Sequence, residues 1–117
     1  MDIRERIDTY TPHAIELRRT IHHNPELSGM EYGTTALIRK ELEEYRIKDS
    51  GLETGLIADI CGKKPGEGKT IAVRADIDAL PIQEKTGEPF ASGNEGVSHA
   101  CGHDLHMAAV LLAARTL

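Results

Sequence analysis

Aromatic side chains are nearly missing. There is no tryptophan, one phenylalanine and three tyrosines in 117 residues. The core must therefore be aliphatic, and the stacking platform used by single-strand nucleic-acid binders is lacking. Positive charge is short as well: 14 lysines and arginines stand against 19 aspartates and glutamates, a formal net charge of −5. Surfaces that bind phosphate backbones are basic, so nucleic acid is not expected as a partner. Cysteine is confined to Cys61 and Cys101, too few for a secreted disulfide framework. No apolar run reaches transmembrane length, and Met1 to Arg6 lacks the apolar region of a signal peptide. These absences point to a cytoplasmic protein with no membrane partner, in a compartment that keeps Cys101 reduced.

What is present fits one modest globular domain. Hydrophobic residues make up 39% and charged residues 28% of the chain, and no repeat or low-complexity tract interrupts it.

The chain is organised around Ser98-His99-Ala100-Cys101-Gly102-His103-Asp104-Leu105-His106. His99, Cys101 and His103 alternate, so an extended backbone sends their side chains to one face. Imidazole and thiolate ligate zinc and related divalent metals, and Asp104 is placed to orient one of the imidazoles. Gly102 removes a side chain where the backbone would bend around an ion. A buried thiol beside hydrogen-bonded imidazoles satisfies the same residues, and the motif by itself leaves both readings open.

Upstream, Ile3, Ile7, Tyr10, Ala14, Leu17 and Ile21 form an apolar stripe that predicts a helix over residues 2–23. Pro12 predicts a kink or a break near Thr11, and Asn24-Pro25 ends the segment. His22 and His23 read as cations at the helix C-terminus. Ser28 to Glu31 has the form of a capping box, with a second helix from about Met30 to Tyr45 facing Ala36, Leu37 and Leu42 inward. Strand signals lie weakly at residues 45–47 and more strongly at 55–61 and 69–74. The last two flank the turn cluster of residues 62–68, which predicts a hairpin with Cys61 packed or at its edge.

The last strand leads into Arg74-Ala75-Asp76-Ile77-Asp78, which puts Arg74, Asp76 and Asp78 on one face. Ligands gather at the carboxyl ends of strands in α/β sheets. The aspartates suit metal binding, orientation of an imidazole, or simple pairing with Arg74. A long polar connection, residues 82–97, joins this strand end to the His-Cys-His stretch, and ordered loops of that length tend to be functional. The helix from Asp104 to Leu117 is apolar nearly all round, which marks burial on most sides and calls for a partner surface. Helices and strands in this order predict α/β layering.

Taken together, Arg18-Arg-x-x-His-x-x-Pro-Glu-Leu27, Arg74-Ala-Asp-Ile-Asp-Ala-Leu-Pro-Ile82, Glu84-x-Thr-Gly-x-Pro-Phe90 and His99-Ala-Cys-Gly-His-Asp-x-His106 resemble the metal-dependent amidohydrolases related to aminoacylase and carboxypeptidases. The branch most similar is that of the N-acyl-amino-acid amidohydrolases: hippurate hydrolase, auxin-conjugate hydrolase and N-acetyl-diaminopimelate deacetylase. The resemblance implies that residues 1–117 are the N-terminal portion of a three-layer α/β/α, zinc-exopeptidase-like catalytic domain, without the lid domain. It implies two divalent metal ions (zinc, manganese, cobalt or nickel) and a small N-acyl amino acid as substrate. Cys101 and His103 correspond to metal ligands, and Asp78 to an aspartate that supports the site. Asp76, His99, Asp104 and His106 are orienting or substrate-side candidates.

In such relatives a glutamate pair, one of them the general base, and further histidine ligands follow this helix, and none of them falls within these residues. The expectation is that the chain supplies part of the site of a complete enzyme. The alternatives are an inactive truncated fragment, a module that self-associates through its apolar C-terminal helix, and a Cys101–His103 thiol nucleophile and base.

Overall fold

The computed structural model describes residues 1–64 and 66–117. Its elements are α1 (Ile3–His23), α2 (Tyr32–Glu41), β1 (Arg46–Lys48), β2 (Ile57–Asp59) and α3 (His103–Thr116), a mixed α/β arrangement as expected.

α1 begins with a capping box. The Asp2 carboxylate accepts the Glu5 backbone N–H at 2.9 Å, and the Glu5 carboxylate accepts that of Asp2 at 3.0 Å, which satisfies donors the first turn leaves open. The break expected near Thr11 does not occur: Pro12 lies inside one continuous helix. Proline removes one N–H, and its orphaned acceptor is the carbonyl of Asp8, an exposed residue that water reaches. The apolar stripe is buried only towards its C-terminal end, where Leu17 and Ile21 are 5% and 2% exposed. Burying a side chain such as Ile21 contributes about 1.5–3 kcal/mol.

The second helix is shorter than expected and capped differently. Ser28 makes no cap; instead the Glu26 carboxylate accepts the backbone N–H of Gly33 at 3.0 Å and of Thr34 at 2.5 Å, and the Thr34 hydroxyl at 2.6 Å. Two anionic oxygens at a helix N-terminus satisfy more donors than one hydroxyl, and the dipole favours the charge. Ile38, Thr34 and Thr35 face inward, whereas Ala36 is exposed. Of the residues expected to face inward, Leu42 joins the core and Leu37 packs against it, and only Ala36 departs.

The hairpin also differs. β1 pairs antiparallel with β2, Ile47 opposite Ala58, whereas residues 69–74 form no strand. Ile71 and Val73 are 83% and 71% exposed. A strand-like sequence needs a neighbouring edge to hold its backbone hydrogen bonds, and no pairing to this segment exists among the described residues. Cys61 is exposed. Pro65, in the turn cluster, lies outside the described residues.

Backbone pairing resumes at Ala79 and Leu80. Ala79 bridges Leu27 in parallel, and Leu80 bridges Ser98 antiparallel. Those pairings bring the end of α1, the strand end and the start of α3 to one place. α3 packs one face into the cluster of Leu17, Ile21, Ile38, Leu42, Met107 and Ala114. It is less enclosed than expected, since Leu105 remains 54% exposed.

Candidate metal centre

Two polar groupings lie on either side of the α3 N-terminus. The outer one contains Asp76, Asp78, Cys101, His103 and His106. Gly102, at φ +129°, makes the bend that starts α3, a backbone conformation that side chains rarely adopt. His103 is the first residue of the helix. Its Nδ1 donates to the Asp78 backbone carbonyl at 2.7 Å, with an Asp78 carboxylate oxygen at 3.1 Å. A carbonyl only accepts, so Nδ1 carries the proton and Nε2 of the neutral ring keeps its lone pair. That is how metal-binding histidines are set: one nitrogen held by a carbonyl or carboxylate, the other presented. Nε2 lies 3.9 Å from an Asp76 carboxylate oxygen. Asp76 also pairs with the exposed Arg74. Cys101 and His106 are exposed, with the His106 ring 6.0 Å from that of His103.

The residues present fit a metal in part. The donor types suit zinc and its neighbours, and His103 is in the required tautomer. Among the described residues, however, no group of three His, Cys, Asp or Glu side chains is gathered closely enough to hold an ion.

The inner grouping is buried and centred on Asp104, which is 1% exposed. One Asp104 oxygen accepts Arg18 Nε at 2.8 Å and His22 Nδ1 at 2.7 Å. His22 Nε2 faces Glu84 at 2.8 Å. Glu84 further accepts the Ser92 backbone N–H at 3.0 Å and the Thr86 hydroxyl. Burial pushes the Asp104 carboxyl up, but the hydrogen bonds from His22, Arg18 and the Leu105 backbone outweigh it and hold it below the usual carboxylate range. Glu84 is lowered by the same balance, with Thr86, Ser92 and His22 opposing burial. An ionised carboxylate only accepts, so both His22 nitrogens donate. Phe90, the single phenylalanine, covers the group: Arg18 lies 4.9 Å and Arg19 5.1 Å from its ring, and His22 meets it edge-on at 5.5 Å.

His99 lies beside this group, its ring 6.4 Å from that of His22. It is buried, neither ring nitrogen has a hydrogen-bond partner among the described residues, and burial lowers its pKa. The structure thus places Asp76, Asp78, Cys101, His103 and His106 on the outer side, and His99 and Asp104 within.

His22 is the largest departure from the sequence reading. It is not a solvated helix-end cation but a buried bridge between two carboxylates. Glu84 opens one of the four sequence motifs, which by itself gives it no role. The signal was available in the spacing: Arg18 and His22 are four apart on α1 and so share a face. His23, by contrast, is exposed and donates Nδ1 to the Ala91 carbonyl at 2.7 Å.

Residues 72–117 match peptidase family M20/M25/M40. The chain is 53% identical over 110 residues to an N-acetyl-L-cysteine deacetylase of Bacillus subtilis, covering 92% of this chain and 26% of that protein. It is 48% identical to thermostable carboxypeptidase 2 of Saccharolobus solfataricus, covering 83% of this chain and 25% of the relative. N-acetyldiaminopimelate deacetylase of B. subtilis is 47% identical, with 83% and 26% covered. The chain thus spans about a quarter of the length of these relatives. The crystal structure of the B. subtilis YXEP protein, described as a dinuclear metal-binding peptidase of the M20 family, superposes with a TM-score of 0.82 at 50% identity. That match covers 89% of this chain and 29% of that one. The fold, the motifs and these likenesses agree: the chain carries part of a domain of peptidase family M20/M25/M40.

Proposed function

We propose that this chain contributes Cys101 and His103 as ligands, and Asp78 as the group that sets His103, to the two-metal site of an amidohydrolase acting on N-acyl amino acids. The observation that carries the reading is the Nδ1 hydrogen bond of His103 to the Asp78 carbonyl, which leaves Nε2 to ligate. The deacetylase relatives support the substrate class, and the dinuclear neighbour supports the number of ions. The donor types accept zinc, manganese, cobalt or nickel. A divalent metal bound there would polarise the amide carbonyl and lower the pKa of a bound water towards neutrality. The chain's own residues hold the imidazole in one tautomer and keep Arg74 paired with Asp76 at the rim. The exposed thiols of Cys61 and Cys101 suit a reducing compartment such as the cytoplasm.

Elemental mass spectrometry of the purified, unchelated chain tests this beside a Cys101→Ser control. Metal retained by the first and lost from the second is the expected result; equal content in both overturns the assignment. Because no three donors are gathered among the described residues, the metal-loaded chain by itself is expected to hydrolyse N-acyl amino acids at no measurable rate.

A second reading rests on the uncovered face of α3, where Leu105 is 54% exposed: a second copy of the chain covers that face. A mass that rises with concentration in light scattering supports it, and a constant monomeric mass removes it.

A further inference from the structure

We infer that Arg18, His22 and Glu84 are positioning residues for the outer site. They fix Asp104 in the first turn of α3 and thereby set the orientation of the adjoining His103. The inference rests on the reading of His103 as a metal ligand, and concerns residues that reading does not use.

Asp104 and His103 are consecutive, and their side chains point to opposite sides of the α3 N-terminus. Asp104 is 1% exposed, while the His103 side chain is 18% exposed. No side-chain cap holds this end of the helix, and the residue before it is a glycine at φ +129°. The first turn is therefore held in place by what grips Asp104 and what grips His103. On the outer side that is the Asp78 carbonyl alone, with its carboxylate nearby. On the inner side it is Arg18 and His22, both from the rigid end of α1. His22 would be free to rotate about its Asp104 contact, but Glu84 holds its second nitrogen. Glu84 is fixed by Ser92 and Thr86 of the same polar loop. Arg18 and the two His22 nitrogens face two carboxylates. Both contacts to Asp104 fall on one of its oxygens, the other having no hydrogen-bond partner among the described residues. A carboxylate held at one oxygen by two side chains of α1 passes its position to the adjoining His103 backbone.

Two measurements on the complete 117-residue chain test the inference. The first needs no metal: long-range ¹H–¹⁵N spectra of the histidine rings report the tautomer of His103. The wild-type chain is expected to show the Nδ1–H form. Arg18→Met, which keeps an apolar stem beneath Phe90, and His22→Ala are expected to show a mixture of the two tautomers. Arg18→Lys, which returns a cation to Asp104, is expected to restore the wild-type form. The second is Co²⁺ titration followed by the thiolate-to-metal absorption band. A loss of about 10–100-fold in affinity is expected for Arg18→Met and His22→Ala, with recovery in Arg18→Lys.

Variants that keep the wild-type tautomer and cobalt affinity while unfolding at lower urea make the network purely structural and overturn the inference. Variants that lose the tautomer in a chain whose wild type takes up no cobalt leave the positioning role standing. The ligand assignment is then what fails.

Discussion

The molecule has two long connections, and each inverts what its composition suggests. Residues 82–97 are polar and carry glycine and proline, yet they are tied down along their length. Glu84 meets His22, Ala91 and Gly93 pair with His23, and the Asn94 amide donates to the Pro25 carbonyl. Residues 60–76 include a β-branched, strand-like run, yet Ile71 and Val73 stand in solvent. The difference shows that order here follows from polar partners supplied by the end of α1, and not from local propensity. A strand sequence without a neighbouring edge has nowhere to place its backbone hydrogen bonds.

The contrast is open to direct attack. Asp104→Ala should have the largest effect, because it takes from the part-buried Arg18 and the buried His22 the carboxylate to which both donate; removing one partner of a buried pair costs about 3–5 kcal/mol. Urea unfolding followed by circular dichroism measures it, and a loss below about 1 kcal/mol would show the tied-down connection to be as dispensable as the open one.

Gly93→Ala comes next. A Cβ there would lie 3.0 Å from the His23 ring and 3.3 Å from the His23 carbonyl. Crowding of this kind costs about 1–3 kcal/mol, and the His23 to Ala91 contact should weaken in the same variant. An unchanged unfolding midpoint would mean the loop has room to yield.

The third effect depends on pH. The native state holds Glu84 below its ordinary value of 4.5, so it favours the ionised form. The stability Glu84 adds is therefore complete above about pH 4.5 and is lost as the pH falls through the lowered native value. Midpoints measured from pH 7 to pH 3 should fall more steeply for the wild type than for Glu84→Gln. Parallel curves would remove Glu84 from the network.

The smallest effect belongs to the open connection. Among the described residues, nothing lies within 4 Å of a Cβ added at Gly62, which has no positive φ. Gly62→Ala should be neutral or stabilise by up to about 1 kcal/mol through the unfolded chain. A clear destabilisation there would erase the contrast with Gly93.

Much was legible in the residues alone. The apolar spacing from Ile3 to Ile21 determined α1, but the alternation of His99, Cys101 and His103 does not put the three on one face: His99 is buried beside His22, whereas Cys101 is exposed. The bend at Gly102 and the α3 helix followed from local chemistry. Tertiary structure decided the rest. It selected Glu26 over Ser28 as the α2 cap, because the chain reversal after Pro25 brings a carboxylate to that helix end. It left residues 69–74 unpaired among the described residues, because pairing is a property of two segments. It also turned His22 from a helix-end cation into a buried bridge, since Asp104 and Glu84 lie 82 and 62 positions away in sequence. Spacing along a chain reveals which side chains share a face; only folding decides what that face meets.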